Sequence, residues 1–247
     1  MPEPSETIKA SLPYGDHSTA FFTGEGWVEI GRSAGNHPIT GKLLRAKEAR
    51  HRALLIGGVH GNETEGVKFM EEFTREFVDG KSESPFGVDL YVIPVMNPDG
   101  FLSFQRGNAN LVDLNRNMPT KDWSAEYTEQ KYFPGSQATS EPETRMLIDV
   151  LEDFQPDYII SFHSWKPMVN INGPSKAFGE AIAQKLNMVV ADDIGYPTPG
   201  SLGTYAGMER QIPTITLEFE RGVDLDSIYP FAREGVVDSI HLLEQSS

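Results

Sequence analysis

The sequence predicts an α/β protein of three layers, with helices on both faces of a central mixed, mostly parallel sheet. Three observations predict it. Short β-branched apolar runs, Arg52–Val59, Asp157–Phe162 and Pro213–Leu217, read as buried strands of such a sheet. Stretches with helical apolar spacing separate them. Each run is followed at once by polar residues: His60-Gly61-Asn62-Glu63, His163-Ser164 and Glu218. In open α/β sheets ligands bind beyond the carboxyl ends of the strands, so the pattern brings these side chains to one sheet edge.

Taken in order, residues 1–25 are rich in Pro, Ser and Gly and read as an irregular N-terminal segment. Trp27–Ile30 and Ile39–Ala46 read as strands around the turn residues Ser33-Ala34-Gly35-Asn36. Leu54–Val59 is a central strand. The spacing of Val67, Met70, Phe73 and Phe77 predicts a helix over Asn62–Val78. Val88–Val95 is a second buried strand, closed by a turn at Asn97-Pro98-Asp99-Gly100. Residues 101–140 show little periodicity, and structureless loops of that length in compact domains are usually functional. Ser140-Glu141-Pro142-Glu143 predicts a helix start, with Ser140 as N-cap and acidic residues at the positive dipole end; the helix runs to Asp153. A strand ending at His163, a helix over Ser175–Leu186, a short strand near Met188–Ala191, a loop over Asp192–Thr204, a strand over Thr214–Phe219 and a helix over Asp226–Leu243 complete the chain. No repeat or linker divides it, and 247 residues suit one α/β domain.

Composition narrows the function classes. A net charge of −15 argues against nucleic acid or an anionic membrane surface as partner. The chain has no cysteine, which rules out disulfides and thiolate zinc sites and fits a reducing compartment. The N-terminus has no apolar core of a signal peptide and the chain has no stretch long enough to span a bilayer, so a cytoplasmic location is expected.

The polar clusters carry chemistry. Two His and one Glu are the protein ligands of hydrolytic zinc, with a fourth position left open. His60 and Glu63 follow the Gly57-Gly58 pair, whose freedom lets the backbone turn so that both side chains can aim at one ion. His163, behind another strand, supplies the second nitrogen. Glu218 lies inside an apolar strand, where an unpartnered carboxylate is costly; it reads as the general base. One Zn2+ ion is expected. His17, His37, His51 and His241 lack such placement and read as ordinary structural or surface residues.

His60-x-x-Glu63, Asp113-Leu114-Asn115-Arg116-Asn117, His163-Ser164 and Tyr196 well before Glu218 together resemble the zinc carboxypeptidase superfamily of metallopeptidases. Arg106–Asn117, Ser140–Thr144, Gln155–His163 and Ile194–Gly203 resemble its branch of bacterial cell-wall amidases. The resemblance implies roles: zinc held by His60, Glu63 and His163, Glu218 as base, Arg106 against the oxyanion, Asn115 and Arg116 on a carboxylate next to the scissile bond, and Tyr196 on a loop that closes over substrate. The chemistry agrees, since Arg116 suits planar recognition of a carboxylate and Arg106 a developing oxyanion. The sequence departs from the family pattern at Met118 and over residues 165–170, both expected to border the substrate pocket. The loop Thr198–Thr204, with room from Gly200 and Gly203, is expected to wall the pocket for the leaving residue.

The amidase branch implies hydrolysis of the γ-D-glutamyl–meso-diaminopimelate bond of a peptidoglycan stem peptide, with a small muropeptide as partner. Three other readings use the same residues: a metallocarboxypeptidase trimming C-terminal residues, a zinc deacylase of N-acyl amino acids, and a non-enzymatic sensor that binds muropeptides. The first is weakened by the absence of an evident propeptide, the second has no use for the Tyr196 loop, and the third leaves a full set of chemical residues unexplained.

Overall fold

The computed structural model describes residues 22–246. The expected irregular segment 1–25 falls almost wholly outside them, as does His17.

Among the described residues eight strands form one sheet: β1 (Val28–Arg32), β2 (Pro38–Leu44), β3 (Arg52–Ile56), β4 (Asp89–Ile93), β5 (Tyr158–Trp165), β6 (Met168–Asn172), β7 (Val190–Ala191) and β8 (Thr214–Glu220), in the order β1-β2-β4-β3-β5-β8-β6-β7. The pairs β3–β4, β3–β5, β5–β8 and β6–β7 are parallel, and β1–β2, β2–β4 and β6–β8 antiparallel. The sheet is therefore mixed, with a wholly parallel centre.

The apolar runs are continuous because both faces are covered. Along β3, Ala53 and Leu55 enter a core with Phe69, Met70 and Phe73 of helix α1 (Thr64–Phe77), while Leu54 and Ile56 enter a second core with Leu147 and Leu151. Helix α4 (Lys176–Leu186) and helix α5 (Leu225–Glu244) join α1 on the first face through Ile182, Val236 and Ile240. Helix α3 (Pro142–Phe154) and a π-helical turn at Gly203–Met208 cover the second face. The three layers follow from this alternation of strand residues between two cores.

Several local expectations are corrected. β3 stops at Ile56, not Val59, because Gly57 and Gly58 leave the ladder, Gly58 with φ +59°. The Asn97–Gly100 turn is the start of helix α2 (Pro98–Ser103), since the Asn97 side chain accepts from Gly100 N at 2.9 Å and caps it. Helix α3 has Glu141, not Ser140, at its N-cap; the Ser140 hydroxyl donates instead to Glu141 Oε1 at 2.6 Å. β5 runs two residues past His163, because Ser164 and Trp165 still pair with Phe219 and Glu220. β6 was not expected at all. It follows β5 after a bend at Lys166 and Pro167 and lies antiparallel against β8.

Candidate active site

The carboxyl ends of β3, β5 and β8 carry the site. His60 lies four residues beyond β3, in a loop held against its neighbours by Gly61. A Cβ on Gly61 would lie 1.8 Å from the Gly100 carbonyl carbon, so only glycine fits, and Gly61 N donates to Arg106 O at 3.3 Å. This close approach fixes the His60 loop to the loop that carries Arg106. Glu63 immediately precedes α1. His163 and Glu218 are register partners near the ends of β5 and β8.

His60, Glu63, Arg106, Asn115, Arg116, His163, Tyr196 and Glu218, the eight residues singled out from sequence, all line one cavity of about 260 Å³. Within it, His60 Nδ1 lies 3.0 Å from Glu63 Oε1, and His163 Nδ1 lies 3.1 Å from His60 Nδ1 and 2.9 Å from Glu63 Oε2. All three residues are buried. The outer nitrogens are occupied elsewhere, His60 Nε2 by Asp113 Oδ1 at 2.9 Å and His163 Nε2 by Ser161 Oγ at 3.0 Å. Asp113 can only accept, so the His60 proton sits on Nε2 and its Nδ1 lone pair points inward. Two ring nitrogens and a carboxylate converge on one point, with donor atoms all within 4.8 Å of one another. Tetrahedral ligands about 2 Å from a zinc ion lie about 3.3 Å apart, so set and spacing fit zinc.

Asp113 ties the assembly together. It accepts from Arg106 Nε at 2.9 Å, and Arg106 Nη1 reaches Glu63 Oε1 at 3.2 Å, closing a ring of His60, Asp113, Arg106 and Glu63. Burial pushes the Asp113 carboxyl up, but Arg106 and His60 outweigh it and hold it far below the usual range. Burial likewise pushes Glu63 up, and the imidazoles of His60 and His163 outweigh it, leaving it well below the ordinary value. Burial lowers Arg106, yet Asp113 and Glu63 raise it further, so it is always charged.

Glu218 is different. It is buried, its Oε2 finds no partner among the described residues, and burial pushes its carboxyl up to about 7. A carboxyl with that value holds and releases a proton near neutrality.

Asn115 and Arg116 lie on a short 3-10 turn capped by the Asp113 side chain. Asn115 Oδ1 accepts from Leu202 N at 2.9 Å, which leaves its amide N–H groups for the cavity. The Arg116 guanidinium lies 5.7 Å from the Tyr132 ring and 5.9 Å from the Tyr196 ring. Tyr196 also packs on Trp165, ring centroids 5.4 Å apart. Trp165 lines the cavity, as expected for the 165–170 departure. Met118 does not: it is buried in the second core with Leu114.

A second cavity of about 470 Å³ adjoins the first, sharing Asn115, Ile194, Tyr196 and Glu218. Its other walls include Asn170 and Asn172 of β6, Asp192 and Asp193, and Ser201 and Thr204. Gly203 lines it, whereas Gly200 faces away, its missing Cβ only 2.2 Å from Arg116 O.

Residues 26–225 match the zinc carboxypeptidase family of M14 peptidases. The chain belongs to that family. It is 32% identical over 183 residues to murein peptide amidase A of Vibrio campbellii, an alignment covering 69% of this chain and 70% of that one. Murein peptide amidase A of Escherichia coli K12 is 31% identical, with 69% and 72% covered. Among solved structures, the murein-tripeptide amidase of Escherichia coli O157 superposes with a TM-score of 0.70 at 26% identity, over 96% of this chain and 99% of that one. Carboxypeptidase A of Helicoverpa armigera shares the fold, with a TM-score of 0.74 at 20% identity, over 98% of this chain and 73% of that one. The chain is thus a hydrolytic metallopeptidase whose family implies zinc, and His60, Glu63 and His163 form a cluster able to hold it.

The sequence reading missed Asp113 as a positioning residue, Tyr132 beneath both arginines, and Arg221 at the cavity wall. The signal for Asp113 was its place two residues before Asn115. Arg221 carried none beyond following Glu218 by three.

Proposed function

We propose that the protein hydrolyses the amide between γ-D-glutamate and meso-diaminopimelate in peptidoglycan stem peptides, acting as one catalytic domain on a small muropeptide in the cytoplasm. The observation that carries the reading beyond the family is the second cavity. It opens on the side of Asn115 and Tyr196 and is walled by amides, hydroxyls and the carboxylates of Asp192, Asp193 and Glu218. Diaminopimelate bears an ammonium and a carboxylate at the far end of its side chain. Asp192 and Asp193 suit the ammonium, and Asn172, Ser201 and Thr204 suit the carboxylate. Ser201 is buried, Asn172 and Thr204 are half-buried and Asp192 and Asp193 are exposed, and a residue lacking the far ammonium and carboxylate leaves all five without a substrate partner. No helix among the described residues is long and apolar enough to cross a membrane.

In this reading His60, Glu63 and His163 hold one zinc ion, which supplies Lewis acidity toward water and toward the amide carbonyl. Arg116 and the Asn115 amide grip the α-carboxylate of the leaving diaminopimelate, which lies next to the scissile bond. That explains how a carboxypeptidase-like clamp serves an amidase. Glu218 takes the proton of the attacking water and passes it to the leaving amine; burial raises its carboxyl, which favours holding the proton between the two transfers, and the charge of the cation opposes that rise. Arg106, fixed by Asp113, presents permanent positive charge to the oxyanion. Tyr196 closes over the bound peptide and excludes water. The test is incubation of zinc-loaded protein with L-alanyl-γ-D-glutamyl-meso-diaminopimelate. Free diaminopimelate is expected; an intact tripeptide under conditions where another amide is cleaved would reject the reading.

A further inference from the structure

We propose that Arg221 recognises a free carboxylate on the acyl side of the scissile bond, where a γ-linked glutamyl residue carries its α-carboxylate. The inference deepens the amidase reading and rests on it for the identity of the acyl group.

Arg221 lies one residue beyond β8 and three after Glu218. Its Nη2 donates to Asn62 O at 2.9 Å, which holds the guanidinium at the cavity wall. Its charge has only weak partners there, with Glu218 in electrostatic reach but not in an ion pair. A carbonyl oxygen brings no charge, and its one ion pair among the described residues is a long contact of 3.9 Å to Glu63 Oε1, an atom already engaged by His60 and Arg106. Arg106, by contrast, is matched by Asp113. Lys131, the remaining cation beside Arg116, is paired with Glu129 at 3.2 Å and sits over the Tyr132 ring.

The two cavities give Arg221 a side. The second cavity shares Asn115, Ile194, Tyr196 and Glu218 with the first but reaches neither Arg221, Asn62 nor Trp165. Arg221 therefore lines the main cavity, beside Asn62, and not the pocket for the leaving residue. If Arg116 takes the leaving carboxylate, the acyl portion runs past Arg221.

That portion is chemically distinctive in a γ-glutamyl amide. Two methylenes separate the scissile carbonyl from the Cα, so a full negative charge sits about 5 Å from the carbonyl carbon. An ordinary α-linked peptide has a neutral amide and a side chain in that region. Arginine presents the planar fork that a carboxylate matches. In a chain of net charge −15, such a fixed cation also offsets repulsion of an anionic substrate.

The test is calorimetric binding of the acyl product to zinc-loaded protein, which does not depend on turnover. L-Alanyl-D-glutamate is compared with L-alanyl-D-isoglutamine, whose α-carboxylate is a carboxamide. Wild type is expected to bind the acid about tenfold or more tightly than the amide, as a charged hydrogen bond implies. Arg221→Gln should bind the two equally, and Arg221→Lys should keep part of the preference. Equal binding by wild type, no binding of either dipeptide, or a preference that survives in Arg221→Gln would overturn the proposal. Turnover of the tripeptide is scored separately: preference through Arg221 without cleavage rejects the amidase reading alone, and cleavage without preference rejects Arg221 alone.

Discussion

His163 and Glu218 are register partners on the adjacent parallel strands β5 and β8. Paired residues on neighbouring strands point to the same face, and the strands lie about 4.8 Å apart. The spacing between a nitrogen of the metal cluster and the carboxyl that would act as base is therefore set by the sheet itself, not by a loop. Catalytic geometry is held best on such rigid elements.

The metal cluster depends on all three donors. His163→Ala should reduce bound zinc from about one ion per chain to a small fraction, as read by elemental analysis of dialysed protein. Wild-type zinc content in the variant would remove His163 from the set.

Glu218→Gln keeps the shape and loses the proton acceptor. Zinc should be retained while turnover falls by about 10²-fold or more. In wild type the carboxylate is the active form, so kcat/KM should rise with pH. Burial sets the acidic limb at or below about 7, and the charge of a bound cation lowers it toward the ordinary carboxylate range. Loss of zinc in the variant would make Glu218 a ligand instead.

The two cavity arginines should separate kinetically. Arg116→Ala should chiefly raise KM, because in the proposed function Arg116 grips a group present in ground and transition states alike. Arg106→Ala should chiefly lower kcat. An exchange of these signatures would exchange the roles.

Asp113→Asn leaves the shape of the site but weakens the acceptor that fixes His60 and Arg106. Zinc affinity should fall by about 10- to 100-fold, measured by chelator competition. An unchanged affinity would show that His60 is oriented without it.

Much of this site was legible because its residues break local rules. Glu218 is a charge inside an apolar strand, and the Gly57-Gly58 pair before His60 marks a forced turn. The alternation of Leu54 and Leu55 between two cores was also visible as an uninterrupted apolar run. What the sequence hid depends on tertiary partners. β6, Met168–Asn172, is short, follows a proline, and is a strand because β8 offers it an edge. Asp113 is a positioning residue only once His60 and Arg106 arrive beside it. Arg221 gains meaning from the cavity that it borders. The end of β5 was misjudged because polarity at His163 looks like a terminus, whereas backbone pairing continues to Trp165.

In the proposed function the polar second cavity makes this member of the family an amidase for diaminopimelate. The most direct measurement is kcat/KM for L-alanyl-γ-D-glutamyl-meso-diaminopimelate against its lysine counterpart and an acyl-Phe-Leu substrate. Strong preference for the diaminopimelate tripeptide and little cleavage of the other two are expected. Comparable values on acyl-Phe-Leu would contradict the proposed function and leave a general carboxypeptidase.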